Sequence, residues 1–227
     1  MSVAILNSPR TVARNRKLKN IAGLLKSLGS IPAKRVRMWP PPGTAMIDDL
    51  SANNDNPLRT CICELIDGTL VEKTVGARES KAALLLGMYT GNWNDELNLG
   101  YFLGEAGIVQ VRENTGLGAD LAFYRWDQYP DLKAPTEAVP LTYPDLAVEI
   151  LSKSNTKKEM ARKRKEYFAA GTRIVWEVDL KKQVVDVYHD PDNFNQCGID
   201  DTLDGESVMP GFSLSIRKWF ERVDRQA

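Results

Sequence analysis

The sequence predicts an α/β protein with a mixed central β-sheet flanked by helices. Three observations point there. "TCICELIDGTLVEKTVG" alternates in polarity and reverses at Asp67-Gly68, a dipeptide that between apolar runs marks a β-hairpin. "PDLAVEIL" and "RIVWEVD" read as buried strands, and the segment between them has a helical period and is rich in Lys and Arg. The patterned segments come as a hairpin, a helix, a group of strands, a helix and two strands. That order indicates a mixed sheet rather than a doubly wound parallel one.

Along the chain, "NRKLKNIAGLLKSLG" (Asn15 to Gly29) carries Leu18, Ile21, Leu24, Leu25 and Leu28 at helical spacing and predicts a short amphipathic helix ended by Gly29. "PPPG" at 40–43 and "NNDNP" at 53–57 predict loops. After the hairpin, Glu79 to Trp93 is apolar enough for a buried helix. Strands are expected from Gly107 ("GIVQVRE"), Ala119 ("ADLAFY") and Asp145 ("DLAVEIL"). The basic helix spans roughly Thr156 to Ala170, with Gly171 suited to its C-cap. "RIVWEVD" and "VVDVYH" predict a second hairpin, and "MPGFSLSIRKWFERV" a short strand and a helix.

A chain of 227 residues with 43% hydrophobic and 26% charged content is ordinary for a globular protein with a full core. No apolar run approaches the roughly 20 residues that span a bilayer, and no export signal is evident, so a cytoplasmic protein without membrane contact is expected. Cys61, Cys63 and Cys197 suggest reduced thiols rather than a disulfide framework or a zinc site. The one histidine, His189, stands beside Asp190-Pro191 at a strand end and reads as a solvated residue. Its isolation disfavours Ser-His and Cys-His hydrolases and His-rich zinc chemistry. Net charge is zero but uneven: residues 1–47 hold nine basic residues and no acid. Residues 1–28 are therefore expected to form a basic arm with a short helix, ahead of one domain over 29–227. A basic arm on an acidic body suits a polyanion partner, or packs on the domain or on a second subunit.

The strand from Asp145 poses a chemical question. Leu146, Val148 and Ile150 share one face, and Asp145, Ala147, Glu149 and Leu151 the other. An ionised Glu149 there costs several kcal/mol unless it is paired or binds metal. Asp145 is four residues away, about 13 Å along a strand, too far to share an ion held at about 2.1 Å. Asp120, opening the neighbouring apolar strand, is the better partner, unless it only caps that strand. Glu64, alternating with Ile62 before the hairpin turn, is a third candidate, unless it is an exposed strand residue. On the basic helix, Met160, Arg164, Tyr167 and Phe168 define the inner face, with Lys163 on its flank. Lys158, Arg162 and Lys165 are expected to point outward, and Glu159 can hold the Lys163 ammonium from one turn before. A plain solvated basic helix is the alternative. Two or three acids with a lysine and no histidine suit metal-assisted phosphodiester hydrolysis, with Mg²⁺ (or Mn²⁺) favoured by carboxylates. The helix's basic residues Lys158, Arg162, Arg164 and Lys165 would then bind the nucleic-acid backbone.

The stretches "CELIDGTLVEK", "ADLAFYRWDQYP", "PTE", "PDLAVEILSKSNTKKEMARKRKEYFAAGTRIVWEVD" and "DTLDGESVMPGFSLSIRKWF" occur in the order found in the Uma-type family of restriction-endonuclease-like proteins, which this chain resembles from about Gly29 to its C-terminus. That family is assigned to the PD-(D/E)-x-K nuclease fold. The resemblance implies a restriction-endonuclease-like core and carries roles over by position. Glu64 matches the glutamate before the family's "DG" hairpin, Asp120 the aspartate of its "PD" strand, and Glu149 the glutamate of its "VEVLS" strand. Lys163 matches the lysine one turn before the helix tyrosine. The usual strand lysine would fall at position 151, where this chain has Leu151, so the helix lysine is favoured. Ala119 replaces the proline of "PD", which is not a ligand. The expectation is a Mg²⁺-dependent DNA endonuclease, homodimeric, with metal on Glu64, Asp120, Glu149 and the Ile150 carbonyl, and catalysis by these acids with Lys163. The alternatives are a noncatalytic nucleic-acid-binding or assembly protein on the same fold, and a structural oligomer whose arm mediates assembly.

Overall fold

The structure, a computed structural model, describes residues 20–58, 61–129 and 131–225. Its elements in chain order are α1 (Ile21–Ser27), α2 (Ile47–Asn54), β1 (Cys63–Ile66), β2 (Thr69–Glu72), α3 (Ala77–Leu97), β3 (Gly100–Gly104), β4 (Val109–Arg112), β5 (Thr115–Leu117), β6 (Leu121–Arg125), β7 (Leu146–Ile150), α4 (Lys157–Ala170), β8 (Ile174–Asp179), β9 (Val184–Tyr188), β10 (Phe194–Cys197), β11 (Thr202–Asp204), β12 (Ser213–Ser215) and α5 (Ile216–Asp224). The arm residues Arg10, Arg14, Arg16, Lys17 and Lys19 lie outside the described residues.

A six-stranded mixed sheet, in the order β10-β9-β8-β7-β6-β3, forms the centre. All its pairs are antiparallel except β7 with β8, which α4 joins as a crossover. Strand alternation divides the core in two. Leu146, Val148 and Ile150 of β7 face α3 and α5, packing with Trp176, Leu86, Trp219 and Phe220. Ala147 faces the other way, with Tyr124, Val175 and Tyr167 of α4. On that second face lies a four-stranded antiparallel sheet, in the order β2-β1-β5-β4, whose Ile66, Val71, Val109 and Leu117 complete the layer. Leu24 of α1 and its C-cap residue Leu28 belong to the same core, so this helix is docked on the domain. The far side of the small sheet packs on α2 through Leu50, Cys63, Leu65 and Leu70.

Local chemistry accounts for the elements that matter to the site. The Asp67-Gly68 turn has both residues at positive φ (48° and 72°), as a two-residue hairpin turn requires, and fixes the register Glu64↔Val71. Helix α4 starts with a capping box: Thr156 accepts from the Glu159 amide, and Glu159 accepts from the Thr156 amide. It ends at Gly171, at φ 122°. Helix α5 buries Ile216, Trp219, Phe220 and Val223, an i, i+3, i+4, i+7 stripe.

Several expectations need correction. Helix α3 is not buried all round. It buries Ala82, Leu85, Leu86 and Thr90, and exposes Leu84 and Met88. The loop expected at 53–57 begins with the last turn of α2. Glu159 does not hold Lys163; it pairs with Arg35 through two contacts of 2.8 and 3.0 Å, both partners being buried. Arg35 also donates from Nε to the Glu72 carbonyl, so one guanidinium ties the segment after α1 to both the hairpin and α4.

Gly29 sits in this junction. It has φ 90°, and a Cβ placed on it would lie 2.5 Å from Glu159 Cα. We expect Gly29→Ala to destabilise the protein by about 2–4 kcal/mol, from left-handed strain plus overpacking against α4. Urea midpoints of the two proteins measure it.

Candidate active site

The hairpin β1–β2, the strand pair β6–β7 and helix α4 meet at one point, where their charged side chains turn inward. Glu64 is on β1, buried, on the face of the hairpin that looks at the large sheet. Glu149 is on β7, on the Ala147 side, as strand alternation requires. Lys163 comes from α4, above the sheet, and is also buried.

The Lys163 Nζ lies 2.9 Å from Glu64 Oε1 and 2.7 and 2.8 Å from the two Glu149 oxygens. The Tyr167 hydroxyl, one helical turn on, donates to Glu149 Oε1 at 2.8 Å. The Gly118 amide donates to Glu64 Oε1 at 3.2 Å. Asp120 precedes β6 and accepts from the Ile150 amide at 2.7 Å on one oxygen. Its other oxygen faces Lys73 Nζ at 3.2 Å. Ile150 thus enters the site through its amide, which caps Asp120. Three carboxylates and two ammonium groups meet in one largely buried cluster.

The charge balance perturbs these groups in different directions. Burial pushes Glu149 up, and the neighbouring Asp120 and Glu64 add to it, so that it titrates at about 7 even with Lys163 alongside. Burial acts on Glu64 in the same sense, but the Lys163 and Lys73 ammonium groups and the Gly118 amide outweigh it and hold Glu64 below the ordinary carboxylate range. Lys163 loses hydration on burial, yet Glu149 and Glu64 raise it above the ordinary lysine range, so it is a fixed cation. Burial and the adjacent carboxylates push Tyr167 well up, which keeps its proton available to Glu149.

The other expected residues fall elsewhere. Asp145 begins its strand and accepts from the Arg125 amide at 2.8 Å. Lys158 and Lys165 are exposed on α4. Arg164 faces inward and pairs with Glu177, donates to the Pro191 carbonyl and stacks on the Tyr188 ring at 4.1 Å. It is engaged in the fold rather than presented to a phosphate backbone. Arg162, expected outward, has its guanidinium nitrogens excluded from solvent and without a hydrogen-bond partner among the described residues. His189 is half exposed and pairs with Glu206 at 2.9 Å, away from the cluster. The three cysteines are free thiols.

Sequence reasoning missed Lys73. A lysine ending a strand reads as solvated, but the hairpin register carried the signal. Glu64 opposite Val71 sets Lys73 opposite Ile62, and the Lys73 amide indeed bonds to the Ile62 carbonyl at 2.9 Å. Residues 64, 71 and 73 therefore share one face.

A family profile described as "Uma2: Putative restriction endonuclease" matches residues 57–217. The chain belongs to the Uma2 family. The matched span encloses Glu64, Lys73, Asp120, Glu149 and Lys163, and leaves α1 and α2 outside. Among solved structures, the chain is similar to one titled as a "putative nuclease belonging to DUF820" from Anabaena variabilis ATCC 29413. The two share 17% identity over 78% of this chain and 98% of that one, with a TM-score of 0.67. That likeness shows the restriction-endonuclease-like fold. No curated protein matches the chain. Among the described residues no helix is long and apolar enough to cross a membrane.

As a ligand set, Uma2 residues Glu64, Asp120 and Glu149 fit a hard divalent cation in kind, being carboxylates that outnumber the ammonium groups beside them. They are not pre-arranged as a cage: among the described residues no group of three or more His, Cys, Asp and Glu is grouped about one ion position. Lysines stand between them instead.

The raised Glu149 makes stability pH-dependent with a definite sign. Its proton affinity is about 7 in the fold and near the ordinary 4.5 in the unfolded chain. Between those values the fold holds the extra proton, so stability falls as pH rises through that window. In EDTA, the wild type is expected to lose about 2 kcal/mol more than Glu149→Gln between pH 5 and pH 8, read from urea midpoints.

Proposed function

We propose that this protein is a divalent-cation-dependent DNA endonuclease that hydrolyses phosphodiester bonds at the Glu64, Asp120, Glu149 and Lys163 cluster. The observation that carries the reading is the buried Lys163 ammonium bridging Glu64 and Glu149 beside a third acid, Asp120. A fold that needed only an ion pair there would keep equal charges. This pocket keeps a surplus carboxylate at a cost in stability, which is typical of a site maintained for chemistry. Membership in a nuclease family and the restriction-endonuclease-like fold support the same reading.

Glu64, Asp120 and Glu149 would hold the cation, Mg²⁺ or Mn²⁺, with the Ile150 carbonyl as a further oxygen donor. Bound there, such an ion neutralises charge on the transferring phosphoryl group and lowers the pKa of water. The chain's own groups do the rest. Lys163, kept charged by its two acids, donates from Nζ to the attacking water or to a phosphate oxygen. Tyr167 holds the Glu149 carboxylate in place through its hydroxyl. Lys158 and Lys165, exposed on the same helix, contact backbone phosphates. Hydrolysis forms a bond from the water oxygen to phosphorus and breaks the bond from phosphorus to the leaving sugar oxygen, which takes up a proton. A homodimer would place two such sites on a duplex.

A noncatalytic nucleic-acid-binding role is the second reading. It is favoured by one observation: the acids are already occupied by lysines and largely buried.

Plasmid nicking in Mg²⁺ and in Mn²⁺ separates the two. Wild type is expected to cut, and Asp120→Ala, Glu149→Ala and Lys163→Met to lose on the order of a hundredfold or more in rate. Variants that cut like wild type would remove the site assignment. A folded wild type that cuts no plasmid, duplex or single strand would favour the binding role.

A further inference from the structure

Lys73 is a second buried cation, and it is held differently from Lys163. Its side chain is 7% exposed; Nζ donates to the Gly118 carbonyl at 2.6 Å and faces Asp120 Oδ1 at 3.2 Å. Lys163 is locked between two acids, whereas Lys73 meets one acid and one neutral carbonyl. Asp120 has its second oxygen on the Ile150 amide, so both of its oxygens are engaged, one of them by a full positive charge. The segment that follows runs out to the surface: Thr74 and Val75 are exposed. Thr74 is clasped to Ser154, in the turn between β7 and α4, and Ser154 bonds to Ser152 at 3.0 Å. The chain thus reaches solvent one residue beyond Lys73.

We propose that Lys73 is an internal counter-cation that occupies Asp120 in competition with a divalent ion, so that ion binding at this acid requires the ammonium to withdraw. The inference rests on the reading of Asp120 and Glu149 as cation ligands. Its physical basis is simple. A carboxylate so shielded has little water to stabilise it, and a lysine supplies the missing charge. A divalent ion must then displace that lysine, and its apparent affinity is reduced by the fraction of molecules in which Asp120 is free. Lys73 is a positioning residue in this scheme: it sets when Asp120 is available.

The test is Mn²⁺ binding to the full-length protein stripped with EDTA, with free Mn²⁺ read by its EPR signal. Lys73→Met is expected to bind Mn²⁺ about tenfold more tightly than wild type, the size of an ordinary coupling between two competing ligands. Lys73→Arg, which keeps the charge, is expected to stay near wild type. Binding by Lys73→Met where wild type shows none would support the proposal in the same sense. If near-UV circular dichroism shows Lys73→Met misfolded, Lys73→Gln carries the comparison. Mn²⁺ affinity equal to or weaker than wild type in a folded Lys73→Met overturns the proposal. Equal affinity with weakened DNA binding would instead make Lys73 a phosphate contact. Glu149→Gln separates the two levels. If it abolishes Mn²⁺ binding while Lys73→Met leaves it unchanged, the cation site stands and the competition fails. If no variant and no wild type binds Mn²⁺, both fall.

Discussion

Everything near the site depends on keeping one ammonium group, that of Lys163, charged inside an apolar core. Its neighbours on that face are Tyr124, Ala147, Tyr167 and Val175, which offer it no charge. An unpaired buried ion would cost several kcal/mol, and pairing offsets this only with good geometry. Glu64 and Glu149 supply the pairing from two different sheets. The contact thus ties the small hairpin sheet to β7 and both to α4. None of the three elements can shift without stranding a charge. Tyr167, on the next turn of the same helix, bonds to the same carboxylate, so α4 is also fixed in rotation about its axis.

The parts of this arrangement legible in the sequence were those set by local periodicity. Period 2 placed Glu149 opposite Val148 and beside Ala147, and the 100° step put Lys163 on the flank of the Met160–Tyr167 face. The Asp67-Gly68 turn fixed a hairpin register that orients Glu64. What stayed hidden was long-range choice of partner. Glu159 had a lysine one turn away and took Arg35 instead, from a segment 124 residues earlier, because Arg35 reaches it with two nitrogens. Arg162 looked like a solvated helix residue, yet its guanidinium nitrogens are excluded from water. The strands β3, β5, β10 and β11 are three to five residues long, several with glycine or asparagine, too short to show a period.

Two ion pairs on α4 show why burial alone does not mark function. Arg164 with Glu177 is as enclosed as many catalytic pairs, but it is balanced one to one, stacked on Tyr188, and sealed by the Pro191 carbonyl. Burial raises Glu177, and Arg164 opposes that rise. Such a pair fastens α4 to β8 and β9. One residue earlier on the helix, Lys163 meets two acids, with a third acid and a second lysine in the same cluster. The unbalanced cluster, not the balanced one, carries a surplus carboxylate.

Carrying the lysine on a helix rather than on the strand has a geometric consequence. A lysine at position 151 would share the Glu149 face but start about 6–7 Å further along the strand, beyond the end of β7. Its ammonium would approach Glu149 from one side and reach Glu64, on the other sheet, poorly. From α4 the side chain descends between the sheets and bridges both acids at once. Leu151 leaves the strand end free of charge, and the turn of Ser152, Ser154 and Asn155 that follows closes on itself through hydroxyl and amide bonds. Asp120 takes its ammonium partner, Lys73, from the hairpin. With Leu151 on the strand and Lys163 on the helix, one ammonium bridges two acids from two sheets, and the third acid pairs with a second ammonium.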